Sequence, residues 1–330
     1  MTLPNFFIVG APKCGTTALS VYLGAHPNAF MCVPKEPAYF ALDFPAIRVA
    51  KNWSEYETLF LGANETHLAV GEASTIYMHS EVAVAELHRK FPSARLLVML
   101  RNPLDLVVSL HGQRLHDCDE NVADFARAWA LCEERRAGGK LPAHCREPKA
   151  LLYDEAALLG SQLQRLLGVF PKSQVRWWFH EDFSADPARV YREAVSFLGL
   201  AFDGRSEFPV VNARTRAVSP MLAPLVQRPP KSVVRLAMYA KKRLGIRRLG
   251  VLSALRQASF VPSRPPKIPH GLLREMRAHF APDVRLLEGI TGRDLGHWLR
   301  NPEPASVSPH ADVGAAVLPG YTAFSSRDAQ

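Results

Sequence analysis

The 330-residue chain has few cysteines, and those it has are scattered. Cys14, Cys32, Cys118, Cys132 and Cys145 form no CxxC pair and no metal-ligand spacing. An odd, dispersed set of this kind argues against a disulfide framework and points to a reducing compartment. No run of eighteen apolar residues occurs, which leaves no hydropathy-defined membrane span. The first strand pattern begins by about residue 5, where a signal peptide or membrane anchor would otherwise lie. Acidic residues are missing altogether between Phe208 and Arg274. The composition that remains is 48% hydrophobic, enough for a large core, with a formal net charge of +9.

The acid-free stretch carries more than that whole excess charge, through Arg214, Arg216, Arg228, Lys231, Arg235, Lys241, Lys242, Arg243, Arg247, Arg248 and others. Interleaved Val233, Leu236, Ala240, Leu244, Val251, Leu252 and Leu255 recur near helical spacing, so amphipathic helices are expected over about 225–268, broken near Gly245 and Gly250. Three readings stay open: a solvated basic face on a packed helix, a surface that recruits an anionic acceptor or lipid headgroups, or nucleic-acid binding. Beyond Phe208 only Tyr239 and Phe260 are aromatic there, so base stacking has little support.

Elsewhere strand and helix patterns alternate, which favours a central parallel sheet with crossover helices on its faces. Strands are expected at 5–10, 68–72, 95–100 and 174–179. Helices are expected at 16–25, 81–90, 103–115, 121–137, 154–169, 187–198 and 270–290. Residues 138–150, with Gly138, Gly139 and Pro142, read as a mobile loop over the cleft. The last thirty residues, rich in Pro, Ser, Ala and Gly, read as a disordered tail over 301–330.

The richest stretch is Phe6 to Leu19, an apolar strand ending at Gly10, then small residues, then helical spacing from Thr16. Backbone N–H groups at such a turn converge on an anion, and the helix dipole favours negative charge there. A nucleotide triphosphatase loop sets Lys directly before the hydroxyl residue. Here Gly15 is followed by Thr16 and Thr17, and the lysine has moved into the loop as Lys13, which argues for a different phosphate ester. A second element supports this: Leu96 to Leu100 is another buried-strand pattern, Arg101 ends it, Pro103 opens a helix, and Ser109 lies about two turns on. Arg101 as a planar fork and Ser109 as a neutral donor suit one phosphate.

These two elements resemble those of the sulfotransferases that use 3′-phosphoadenosine 5′-phosphosulfate (PAPS). Pro12-Lys13-Cys14-Gly15-Thr16-Thr17 looks like their 5′-phosphosulfate loop, and Arg101 with Ser109 like their 3′-phosphate element. Pro34-Lys35-Glu36-Pro37-Ala38-Tyr39-Phe40 and Gly71-Glu72-Ala73-Ser74-Thr75-Ile76-Tyr77 resemble segments of the carbohydrate, heparan-sulfate-type branch and its bacterial relatives, the first carrying the catalytic glutamate and the second lining the acceptor cleft. Later landmarks, from Phe170-Pro171 and Glu181-Asp182-Phe183 to Gly292-Arg293-Asp294-Leu295-Gly296-His297-Trp298, extend the resemblance to roughly residues 5–300.

The resemblance implies a P-loop-like three-layer α/β fold, one sulfotransferase domain over 1–300, and a cytoplasmic bacterial enzyme that moves a sulfuryl group to a hydroxyl or amine. It implies Lys13 on the leaving phosphate, Glu36 as base with Lys35 beside it, and Glu72, Tyr39 and Tyr77 at the acceptor, with Glu72 also the alternative base. Pro12, Cys14, Gly15, Thr16, Thr17, Arg101 and Ser109 would bind the donor, with Arg214 and Arg216 closing over the 3′-phosphate. Cys14 invites a redox reading, since a helix N-terminus activates thiols, but a small residue lending its N–H is the expected role. His79 and His111 are expected to be ordinary structural histidines, and no metal is expected. The acceptor would be a carbohydrate, glycolipid or hydroxylated natural product, with peripheral contact to an anionic membrane or polyanion open. Two other classes compete: a small-molecule kinase, which would need Lys before the hydroxyl and an acid after a later strand, and a non-catalytic basic binding module on the same fold.

Overall fold

The computed structural model describes residues 2–209, 211, 215–217, 260–262 and 266–300, with the backbone alone at 215–217 and 260–262. The chain divides into two compact units, one of residues 1–107, 154–212 and 270–330, the other of 108–153 and 213–269.

The first unit is built on β1 (Phe6–Gly10), whose five residues are all buried. Fully buried strands read as continuous apolar runs, and Phe6, Phe7, Ile8 and Val9 fulfil that pattern. Around it lie β2 (Ala29–Met31), β3 (Ala69–Ala73), β4 (Arg95–Leu100) and β5 (Val175–Phe179), in the order β2-β3-β1-β4-β5. Every pairing is parallel; Phe6, for example, is in register with both Gly71 and Arg95. Gly71 is required by this packing, because a Cβ there would lie 2.1 Å from Cζ of Phe6.

The order makes β1 the switch point. The chain leaves it for β2 and β3 on one side and then continues to β4 and β5 on the other, so a crevice opens beyond its carboxyl end. Helices connecting the strands include α1 (Thr16–Gly24), α2 (Trp53–Thr58), α3 (Ala83–Lys90), α4 (Pro103–His116) and α8 (Leu159–Leu167). The division between the two units falls within α4.

Helices α5 (Phe125–Ala130) and α6 (Cys132–Arg136) stand where one helix over 121–137 is expected, and α7 (Tyr153–Ala156) and α8 where one over 154–169 is expected. Asp124 caps α5, accepting from the N–H of Arg127 at 2.8 Å, which excludes residues 121–123 from it. After β5 come α9 (His180–Ala185) and α10 (Pro187–Phe197). The closing helix α11 (His270–Thr291) packs on α8. Its Asp283 accepts from the N–H groups of Gly160 (2.7 Å) and Ser161 (2.8 Å), capping α8 from outside the local sequence.

The second unit is organised by a buried ion pair. Arg135 forks onto Glu120 at 2.7 and 2.8 Å, with Tyr153 donating a third bond at 3.0 Å. Burial alone would raise the Glu120 carboxyl, but these donors hold it below the usual carboxylate range. Residues 138–147 follow an irregular course before a 3-10 turn at Pro148–Leu151, and Arg146 is tied to Asp119 at 2.6 Å. Strands β6 (Thr215–Ala217) and β7 (Phe260–Pro262) form an antiparallel pair. The rest of the basic segment 225–268, apart from 266–268, lies outside the described residues, as does the 301–330 tail.

Candidate active site

The carboxyl end of β1 runs into the loop Pro12 to Gly15 and then into α1. The N-cap of α1 is Gly15, with φ 90° and no side-chain cap, so the first-turn N–H groups have no intrahelical partner. Gly15 is obligatory twice over: its φ is left-handed, and a Cβ would lie 2.9 Å from the Phe183 ring. Lys13 also has a left-handed backbone, φ 63°, unusual for a side-chain-bearing residue and typical of functional loops. Thr16 is buried, while Pro12, Lys13 and Thr17 are half-buried.

Cys14 is wholly buried, with Sγ 3.3 Å from the carbonyl oxygen of Pro12. Burial pushes its thiol up to about 12, against the pull of the Arg101 cation. A redox or nucleophilic part for Cys14 therefore has no basis.

Arg101, at the end of β4, reaches back across the crevice within the same unit. Its Nη1 donates to the carbonyl of Lys13 at 2.7 Å, and its buried Nε has no hydrogen-bond partner. The two elements that sequence places about ninety residues apart are thus bonded. Ser109 lies further along α4, half-buried, in the second unit. Arg214 falls outside the described residues, and of Arg216 only the backbone within β6 is described.

The third component stands at the end of β3. Glu36 also has a left-handed φ, 62°, although it precedes Pro37, and Ala38 follows with φ 51°. The Glu36 N–H donates to the carbonyl of Ala73 at 2.9 Å. Its carboxylate accepts from the N–H of Thr75 at 2.8 Å and from the Thr75 hydroxyl at 3.1 and 3.2 Å, and pairs with Lys35. Tyr39 is half-buried, stacked at 4.8 Å on Tyr56, and lines a groove of about 250 Å³ with Trp53, Arg89 and Lys90.

Glu72 and Tyr77, expected at the acceptor surface, are completely buried beneath this loop. Tyr56 donates to Oε2 of Glu72 at 2.6 Å, and the Tyr77 hydroxyl lies 3.2 Å from the same oxygen. Burial pushes the Glu72 carboxyl up to about 7, against its hydroxyl donors and with the Glu36 charge adding to the rise. His111 donates from Nε2 to the Val122 carbonyl (2.8 Å) in the buried interior of the second unit, and His79 packs on Phe44.

One residue of this crevice was not singled out from sequence. His180 directly follows β5, and its ring edge lies near Gly15, 3.7 Å from where a Cβ would stand. Burial, and then the nearby Arg101 cation, push its imidazole down to about 4, so it is neutral in the absence of an anion. The rule that ligands meet the carboxyl ends of parallel strands could have found it. Among the described residues no cluster of His, Cys, Asp or Glu could hold a metal ion, and no helix is long and apolar enough to cross a membrane.

A five-stranded parallel sheet with a glycine-capped strand-to-helix loop at its switch point defines a P-loop-like α/β protein. The chain belongs to the sulfotransferase family: the sulfotransferase domain model matches residues 3–216. It is 29% identical over 203 residues to human bifunctional heparan sulfate N-deacetylase/N-sulfotransferase 3, covering 60% of this chain and 22% of that protein. It is 31% identical over 112 residues to the membrane-associated sulfotransferase kil1 of Dictyostelium discoideum, covering 33% and 22%. The chain thus spans about a fifth of the length of these relatives. The crystal structure of a sulfotransferase from Alicyclobacillus acidocaldarius superposes with a TM-score of 0.65 at 27% identity, covering 91% of this chain and all of that one.

Proposed function

We propose that the protein transfers a sulfuryl group from PAPS to a hydroxyl or amine of a carbohydrate, glycolipid or hydroxylated natural product, leaving adenosine 3′,5′-bisphosphate. The observation that carries this reading is the meeting of three parts at adjacent strand ends: the Lys13 loop after β1, Arg101 after β4 bonded to it, and Glu36 held at the end of β3. PAPS fits the residues present, because the N–H groups at the start of α1 and the cations Lys13 and Arg101, whose buried Nε has no hydrogen-bond partner, offer donors and positive charge to two phosphates.

In this reading the loop N–H groups with Thr16 and Thr17 hold the 5′-phosphosulfate, while Arg101 holds the 3′-phosphate. Ser109, Arg214 and Arg216 are further candidates from the sequence for the nucleotide. Lys13 offsets the charge that develops on the leaving phosphate oxygen as the S–O bond breaks. Glu36 takes the proton of the attacking group, so proton and sulfuryl move in opposite directions across the crevice. Lys35 orients that carboxylate until the acceptor arrives, and Tyr39 borders the acceptor's approach. Residues 1–300 act as one catalytic domain. The dispersed cysteines, with no CxxC pair, support a reducing, cytoplasmic setting, and the acid-free stretch 208–274 supports an acceptor or surface of negative charge.

Calorimetry with adenosine 3′,5′-bisphosphate, with ATP and Mg²⁺ as control, tests the donor. Bisphosphate binding without ATP binding is expected, and ATP binding alone would return the chain to the kinase reading. Turnover of labelled PAPS against a panel of glycan and phenolic acceptors then tests the transfer.

A further inference from the structure

We infer that Glu72 is a positioning residue for the Glu36 loop, holding it from beneath through the hydroxyls of Tyr77 and Tyr56. The inference rests on the reading of Glu36 as the base.

Four successive residues at the end of β3 each support one point of residues 36–40. The Ala73 carbonyl accepts the Glu36 N–H at 2.9 Å, and the Ser74 hydroxyl accepts the Ala38 N–H at 2.9 Å. Thr75 binds the Glu36 carboxylate itself. Glu72 serves the far end indirectly. A tyrosine hydroxyl has one proton, and with that of Tyr77 turned to Glu72 Oε2, its oxygen is left to accept the Phe40 N–H, a long contact at 3.4 Å. The other proton on Oε2 comes from Tyr56, whose ring is stacked on Tyr39 at 4.8 Å and 29°. One carboxyl oxygen therefore orients both aromatic supports of the segment that begins at Glu36.

The loop needs such support because Glu36 and Ala38 hold left-handed backbones on either side of Pro37, a conformation persisting only where the surroundings over-determine it. A carboxyl with this burial would be costly as mere filling. Its Oε1 is buried with no hydrogen-bond partner, and the groups facing it are Tyr56 from α2, Tyr77 and Ser74 after β3, Cys32 after β2 and Glu36 from the loop, where Lys35 is engaged with Glu36.

The test compares Glu72→Ala, Glu72→Gln and Tyr77→Phe in the full chain by turnover, bisphosphate calorimetry and amide hydrogen exchange. In Glu72→Ala, kcat is expected to fall at least tenfold with bisphosphate affinity within twofold of the parent, while the Ala38 and Phe40 amides exchange faster and the loop amides after β1 do not. Glu72→Gln, whose carbonyl accepts both tyrosine protons, should recover most of both losses. Should Glu72→Ala fail to fold, Tyr77→Phe carries the same expectation for Phe40. Unchanged exchange and kcat in Glu72→Ala, or in Tyr77→Phe where that variant replaces it, would overturn the inference. A Glu72→Gln protein with normal exchange but no turnover would overturn it too, by placing Glu72 in the chemistry. If the parent transfers no sulfuryl group, the proposed function fails, and the exchange comparison still decides whether Glu72 holds the loop.

Discussion

The backbone N–H of Thr75 donates to the carboxylate of Glu36 across 2.8 Å, although 39 residues separate them in the chain. A carboxylate pinned at a strand end by an amide, a hydroxyl and a lysine has one orientation, as proton abstraction requires. Glu36→Gln keeps the size and most of these bonds but cannot take a proton. Its kcat is expected to fall by about 10²- to 10⁴-fold, the usual worth of a general base. Calorimetry should find bisphosphate affinity unchanged.

Arg101 combines a charge with a fixed fork, one arm of which is already spent on the Lys13 carbonyl. Arg101→Ala should weaken bisphosphate binding by about 1.5–3 kcal/mol, roughly ten- to hundredfold, as a charged hydrogen bond is lost. Arg101→Lys should recover little, since an ammonium cannot serve the carbonyl and a phosphate in one plane. Direct titration of both variants measures this.

Lys13 separates backbone from side chain. Both Lys13→Ala and Lys13→Gly remove the ammonium, so turnover should collapse in each. At φ 63°, however, alanine retains the left-handed penalty and glycine does not. Lys13→Gly should therefore be the more stable of the two by about 1–2 kcal/mol in denaturant unfolding.

His180 predicts a proton linkage. Burial and Arg101 hold its imidazole down at about 4, and a bound phosphate would offset the Arg101 part and raise it. Below about pH 6, bisphosphate binding is expected to take up protons, read as a difference in binding heat between buffers of unequal ionisation enthalpy. His180→Gln should change that difference by the His180 share, leaving the part due to the phosphates' own ionisation.

Glu72 leaves a mark on stability. Its folded-state value of about 7 lies above the ordinary carboxylate value of 4.5, so between those limits the folded chain holds more protons than the unfolded one. Glu72's contribution is complete below about 4.5, declines as pH rises through 7, and is flat above. His180 acts the other way, its folded value lying below 6.5, so its contribution rises with pH between about 4 and 6.5. Unfolding free energy measured from pH 5 to 8 should therefore slope less steeply downward in Glu72→Gln than in the parent.

Much of this was legible before any coordinates. Strands β1, β3, β4 and β5 were placed within a residue or so, most plainly β1 and β4, whose continuous apolar runs have no alternation to obscure them. Strand β2 was not found: three residues give no pattern. The break at Ala157–Leu158 was invisible because the cap of α8 comes from Asp283, far along the chain. The Lys13 loop, Arg101 and Glu36 could be named from motifs, but not the contacts that order them. The Lys13 carbonyl, the Thr75 amide and the tyrosines around Glu72 are brought there by sheet order. Glu72 and Tyr77 illustrate the limit, since a strand-end motif does not say which face a side chain takes.

The bond from Asp283 to the first turn of α8 bears on how little of this chain can stand alone. The stretch that defines the family ends at residue 216. Yet α8 lies inside that stretch, and the N–H groups of its second and third residues, Gly160 and Ser161, bond to a helix that begins only at His270, beyond the end of that stretch. Gly160 even gives up its side chain so that the Asp283 backbone can come close, where a Cβ would meet oxygen at 2.3 Å. The region recognisable by descent is therefore smaller than the region that must be synthesised before the sheet is sealed. Truncation at the family boundary would produce a fragment with an open flank rather than a miniature enzyme.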